Sequence, residues 1–168
     1  VGPWRPWCIF FIGIFFHCFA YLLRVYPGIY GDAIRSHLRI SEASFGLLAA
    51  MYYFAYAPMQ VPVGVLVDRI GPRMSLILAC FVAISGGAFF ALSDHVGVAM
   101  VGRFLVGLGT AFAYVTGLKL AAMWLPKKWF ATATGMVTAF GMIAAATSYN
   151  MTNGSGSIVS SMSAGGYL

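Results

Sequence analysis

The stretch Gly64-Val65-Leu66-Val67-Asp68-Arg69-Ile70-Gly71-Pro72-Arg73 sets one acid, two arginines and a Gly-Pro pair between two long apolar runs. So short a charged break leaves no room for a wandering loop, and the flanking runs are expected to return antiparallel as a tight helical hairpin. In this reading Gly64 permits close helix approach and Gly71-Pro72 sets the turn. Asp68 is an acceptor for a helix N-terminus, and Arg69 and Arg73 are cations held at the anionic face of a bilayer.

Outward from the hairpin, apolar runs cover about 44–64 and 74–92, preceded by one over 7–29 and followed by others over 96–124 and 130–149. Each approaches or exceeds the roughly 20 helical residues that cross a hydrocarbon core. The run over 96–124 is longer than a crossing needs and is expected to tilt or enter the interface. Of the 168 residues 61% are apolar and only 8% charged, and mean hydropathy is +0.86. A soluble surface carries about a quarter charged residues. The fold class is therefore all-α, a polytopic transmembrane bundle of about five helices.

Pro58 and Pro62 within the second run predict a bend near its end. The first run is too long and too aromatic for a cleavable signal peptide. The chain opens Val1-Gly2-Pro3, read as a processed or partial start, and residues 150–168 read as a polar, glycine-rich, interrupted tail. The net charge of +6 comes from scattered basic residues beside apolar runs, which report orientation and not a nucleic-acid partner. With the N-terminus inside, the inner segments hold Arg5, Arg69, Arg73, Lys127 and Lys128, whereas Arg35 and Arg39 outside are offset by Asp32 and Glu42. That bias places the N-terminus in the cytoplasm. Cys8, Cys18 and Cys80 sit in apolar stretches without clustered His or carboxylate, so no metal site, cofactor or disulfide framework is expected, and the cysteines read as small buried hydrophobes. Neither a serine-histidine arrangement nor a cofactor loop points to an enzyme.

Arg24 lies about 9 Å past the centre of the first run at 1.5 Å per residue. A charge at that depth either snorkels to the interface or faces a watered interior and an anion. His17, Tyr21 and Arg24 are spaced four and three apart and line one helical face. His17 is either a proton carrier or a neutral histidine hydrogen-bonded across helices. Tyr52, Tyr56 and Gln60 form a second stripe, in which Tyr56 and Gln60 read as pocket residues and Tyr52, with adjacent Tyr53, as interfacial. Arg103 adds a positive charge in the outer third of the fourth run. Lys119 reads first as a snorkelling lysine and second as a partner of Asp68. None of the four acids lies at mid-membrane.

The segment from Gly64 to Arg73 resembles the signature loop of the major facilitator superfamily, which joins the second and third helices of a six-helix half. Gly102-Arg103-Phe104-Leu105-Val106-Gly107-Leu108-Gly109 is similar to that family's fourth-helix pattern, and Trp124-Leu125-Pro126-Lys127-Lys128 through Gly135 to its entry into helix five. The resemblance covers about 15–146. It implies five helices of a first half, a missing C-terminal half, and a small-molecule substrate bound midway and exposed alternately to either side by symport or antiport. It implies the cell membrane, the inner membrane in a bacterium, with the lipid bilayer as surroundings. By the same resemblance the loop of Gly64, Asp68, Arg69, Gly71 and Arg73 serves conformational switching. The Arg103 pattern is tied to substrate or proton coupling. Tyr21-Leu22-Leu23-Arg24 resembles the first helix of organic-phosphate and organic-anion members, whose arginine binds the anion. Where those members offer a second-helix lysine this chain has Gln60, so an organic anion or zwitterion stands beside a phosphate ester. Phe140-Gly141-Met142-Ile143-Ala144-Ala145 departs from the family's antiporter pattern and argues against the multidrug branches. The competing expectation is a membrane fragment or assembly subunit that transports nothing.

Overall fold

The structure is a computed structural model that describes residues 5–124 and 126–164, without the side chains of 5–9, 124, 127, 148 and 151–164. The readings of Val1 to Pro3, of the Arg5, Cys8 and Lys127 side chains, and of Gly165 to Leu168 therefore fall outside the described residues. The chain forms α1 (Arg5–Ile29), α2 (Gly31–Leu38), α3 (Glu42–Ala91), α4 (Val96–Trp124), a 3-10 turn at Lys127–Trp129, and α5 (Phe130–Ala164). Among the described residues, four helical segments are long and apolar enough to cross a membrane: Phe10–Ile29, Glu42–Ala91, Val96–Met123 and Phe130–Thr147.

The 50 residues of α3 hide a turn. Gly71 leaves helical geometry with φ 80° and ψ 159°, a region where a Cβ is strongly disfavoured. Pro72 then opens the second arm, at a first helical position where its missing N–H is no loss. The arms, 42–70 and 72–91, both lie along α4. In the first arm, Tyr52 meets Thr110 and Asp68 meets Lys119, so it runs parallel to α4. In the second, Phe90 approaches Gly102 and Ala83 approaches Gly109, so it runs antiparallel. The arms thus oppose each other as the expected hairpin, so the 50-residue helix is two antiparallel arms.

α1 runs against α4, with Gly13 beside Leu120 and Arg103 bonded to the Leu23 carbonyl, and α5 meets α1 at Gly141 against Tyr21 and α4 where Val137 nears Gly117. One core joins Phe16 and Ala20 of α1 with Val63, Val67, Ala79, Ala111 and Phe112. A second joins Phe10, Ile14, Ala121, Ala133 and Val137. Phe15, Val61, Phe81, Ile84 and Met142 face outward, the apolar exterior that lipid rewards and water penalises.

Two expectations need correction. Gly64 brings no helix close, since a Cβ there would meet nothing within 4 Å; close backbone approaches are at Gly86, Gly102, Gly107 and Gly109. The segment after α1, read as a polar stretch, contains α2, which Arg39 ends in a left-handed conformation (φ 52°) with its N–H on the Arg35 carbonyl. Arg35 then bridges Glu42 at 3.2 Å and Asp32 at 3.6 Å, tying α2 to the start of α3. α5 remains helical to Ala164, and its membrane-length portion is Phe130–Thr147.

Candidate functional site

The α1 stripe is built as its spacing implies. The His17 ring meets Tyr21 edge-on at 5.2 Å, and the Arg24 guanidinium lies 5.6 Å from the Tyr21 ring centre. The first arm of α3 closes over it: Tyr53 and Tyr56 lie 5.2 and 5.7 Å from the same guanidinium, and Arg24 Nε donates to the Tyr53 hydroxyl at 3.3 Å. Three tyrosine rings can stabilise a cation through their faces while leaving most of its donors unspent.

Tyr52 links this cluster to a second cation. Its ring stacks on Tyr56 at 5.5 Å and sits 5.0 Å from the Arg103 guanidinium, which also lies 5.9 Å from Phe90. Arg103 is 4% exposed, donates Nη1 to the Leu23 carbonyl at 2.8 Å, and leaves Nε without a hydrogen-bond partner. The interfacial reading of Tyr52 is overturned. The residue is 1% exposed, and its hydroxyl accepts from Thr110 at 2.9 Å, because the first arm turns that face into α4 rather than outward. Tyr53 is exposed yet holds Arg24, a role its sequence position did not reveal.

His17 is buried between Tyr21 and Tyr114, 5.6 Å from the latter, with Nδ1 unpartnered among the described residues. A Cβ at Gly141 would stand 2.8 Å from the Tyr21 ring and 3.0 Å from His17 Nε2, so the α5 glycine is what admits the α1 stripe. Gln60 is half-buried with Nε2 likewise unpartnered, one turn beyond Tyr56. Thr110, Tyr114 and Gly141 were not singled out from sequence as site residues. The i, i+4 step from Thr110 to Tyr114 was their available signal.

The charged groups at the other end pair differently from expectation. Lys119 hydrogen-bonds Asp68 and does not simply snorkel, because the parallel run of the first arm brings the two to the same level. Asp68 thus accepts from a lysine side chain. Among the described residues the ion pairs are Arg35 with Asp32 and Glu42, and Lys119 with Asp68, so neither Arg24 nor Arg103 has an acidic partner.

The chain is similar to several curated transport proteins. It is 25% identical over 127 residues to the "Probable sulfoacetate transporter SauU" of Cupriavidus necator, covering 76% of this chain and 30% of that protein. It is 30% identical over 124 residues to the "Probable anion transporter 5" of Arabidopsis thaliana, covering 73% and 28%. It is 28% identical over 134 residues to the "Probable galactarate/D-glucarate transporter GudP" of Bacillus subtilis, covering 76% and 30%. The chain therefore spans less than a third of the length of these relatives. No solved structure matches it. With a helical hairpin turning at Gly71 and the Major Facilitator Superfamily sequence model matching residues 8–160, the chain belongs to that superfamily.

Proposed function

We propose that this chain forms the first-half helices of a secondary transporter that carries a small organic anion or zwitterion by alternating access. A second half completes the cavity in the intact protein, the basic turn end lies in the cytoplasm, and Arg24 binds the anionic group. The observation that carries this reading is a guanidinium at membrane depth, ringed by Tyr21, Tyr53 and Tyr56, with no acidic partner among the described residues. An unpaired intramembrane cation is costly unless it meets an anion or water, and a planar fork of donors suits a carboxylate. The names of the relatives above, an anion transporter and transporters of sulfoacetate and of galactarate and D-glucarate, support the same substrate class.

Tyr21, Tyr56 and Gln60 shape the pocket around the bound group, and Arg103 contributes to the site from α4. His17, buried and with a free ring nitrogen, is the proton-bearing candidate if transport is proton-coupled. Asp68 and the turn residues Gly64, Arg69, Gly71 and Arg73 serve switching between states.

The test is binding of carboxylates, phosphates and neutral analogues to folded full-length protein with Arg, Lys or Gln at residue 24. Arg24→Gln should weaken carboxylate binding roughly 10- to 100-fold, the size of a charged hydrogen bond. Arg24→Lys should keep attraction but lose selectivity for the planar group. Equal affinities in all three would overturn the assignment.

A further inference from the structure

Pro27 lies inside α1, and its ring nitrogen carries no hydrogen. In a regular helix that nitrogen would bond the carbonyl four residues back, which is Leu23. The Leu23 carbonyl is the one that Arg103 reaches from α4, at 2.8 Å. The other mid-helix prolines provide a comparison. Pro58 and Pro62 free the carbonyls of Phe54 and Pro58, two exposed residues, and among the described residues no side chain donates to either. Pro27 is buried, and its vacancy is filled.

We infer that Arg103 is a positioning residue for Arg24: its guanidinium takes the place of the N–H that Pro27 lacks, and by holding the Leu23 carbonyl it fixes how the next residue enters the tyrosine cluster. The inference rests on the reading of Arg24 as the anion-binding group and deepens it. Three features fit. Arg103 is buried beside the Tyr52 and Phe90 rings, which stabilise a cation that has no acid nearby. Tyr52 stacks on Tyr56, so the same guanidinium is braced against both walls of the Arg24 cluster. Just before the proline, Tyr26 packs edge-on against Phe90 at 6.3 Å, the same ring that lies beside the Arg103 guanidinium. A guanidinium suits this place because it can bond a carbonyl edge-on while presenting its plane to rings.

The experiment is a double-mutant cycle in full-length protein, read by melting temperature in detergent without ligand and by carboxylate affinity of the folded fraction. Arg103→Met should lower the melting temperature and weaken carboxylate binding about tenfold, the loss of one charge-assisted hydrogen bond's worth of positioning. Pro27→Ala restores the N–H to the helix and should by itself change little. In Pro27→Ala/Arg103→Met the peptide bond replaces the guanidinium, and most of both losses should be recovered. Arg103→Lys, which keeps a charged donor but not the planar guanidinium, should fall between. If Arg103→Met fails to fold, recovery of folded protein in the double variant is the expected result. Additive losses in the double variant, or no effect of Arg103→Met, would overturn the proposal, as would recovery of melting temperature without recovery of affinity. Melting-temperature rescue in a protein that binds no carboxylate at all would leave the Leu23 bond standing and defeat the anion reading instead.

Discussion

α4 meets the two arms of α3 in different ways. Against the second arm it packs along a line: a Cβ at Gly102 would lie 2.6 Å from the Phe90 nitrogen, and one at Gly109 2.7 Å from the Ala83 nitrogen, two turns further on. Against the first arm one glycine marks a close backbone approach, Gly107 under the Tyr52 carbonyl, and side chains make further contacts, Tyr52 on Thr110 and Asp68 on Lys119. A line of backbone contacts resists rotation, whereas a single crossing acts as a pivot with adjustable polar struts. The contrast predicts that the second arm and α4 move as a pair and that the first arm is the element that swings.

The most damaging way to break this contrast is to wedge the rigid pair apart. Gly102→Leu should cost at least about 1–3 kcal/mol, the range for overpacking against atoms that cannot yield. Gly87→Leu, one helical position from Gly86 but with nothing within 4 Å of a Cβ, should be nearly neutral. Thermal unfolding in detergent checks both, and equal losses would mean that the contact is not a line.

The strut at the turn end should matter less to stability and more to switching. Asp68 and Lys119 are both solvent-accessible, with side chains 61% and 37% exposed, so Asp68→Asn or Lys119→Met should change stability by only about 0–1 kcal/mol. Asp68→Asn should depress transport while leaving equilibrium substrate binding largely intact. Lost binding with unchanged sampling of inward and outward states would contradict this role.

The smallest perturbation locates the joint between the arms relative to the membrane. Ser75 is unsuitable for labelling because it is buried, with its hydroxyl on the Gly71 carbonyl at 2.8 Å. A cysteine at exposed Met74 should be shielded from an impermeant reagent added outside, and one at exposed Ser36 should react. The reverse pattern would invert the orientation.

The long helices were legible because length and hydropathy suffice for them: the run read at 96–124 is α4 (Val96–Trp124), and the turn at Gly71-Pro72 needs only the chemistry of those two residues. α2 was missed because it is short and lies among polar residues, and Ile34 and Leu38, four apart, were its only apolar signal. The stripe His17, Tyr21, Arg24 was readable from spacing on one helix. What joins helices was not. Lys119 ranked first as a snorkelling residue because alternating spans make the first arm and α4 parallel without saying which of their residues come level, and Arg103 was read as a further cavity charge because its acceptor, the Leu23 carbonyl, belongs to the backbone of another helix.

Because both arms of α3 are complementary to α4, a helix made after them, the order of synthesis imposes a wait. At about 5–20 residues per second, the hairpin enters the bilayer seconds before its partner leaves the ribosome. Through that interval Gly86 and Ala83 present bare backbone to lipid, and Tyr52 has no Thr110 to meet. Assembly of this bundle is thus timed by the arrival of α4, and a chain cut just before Val96 is expected to give a hairpin that can insert but has no α4 to lock it.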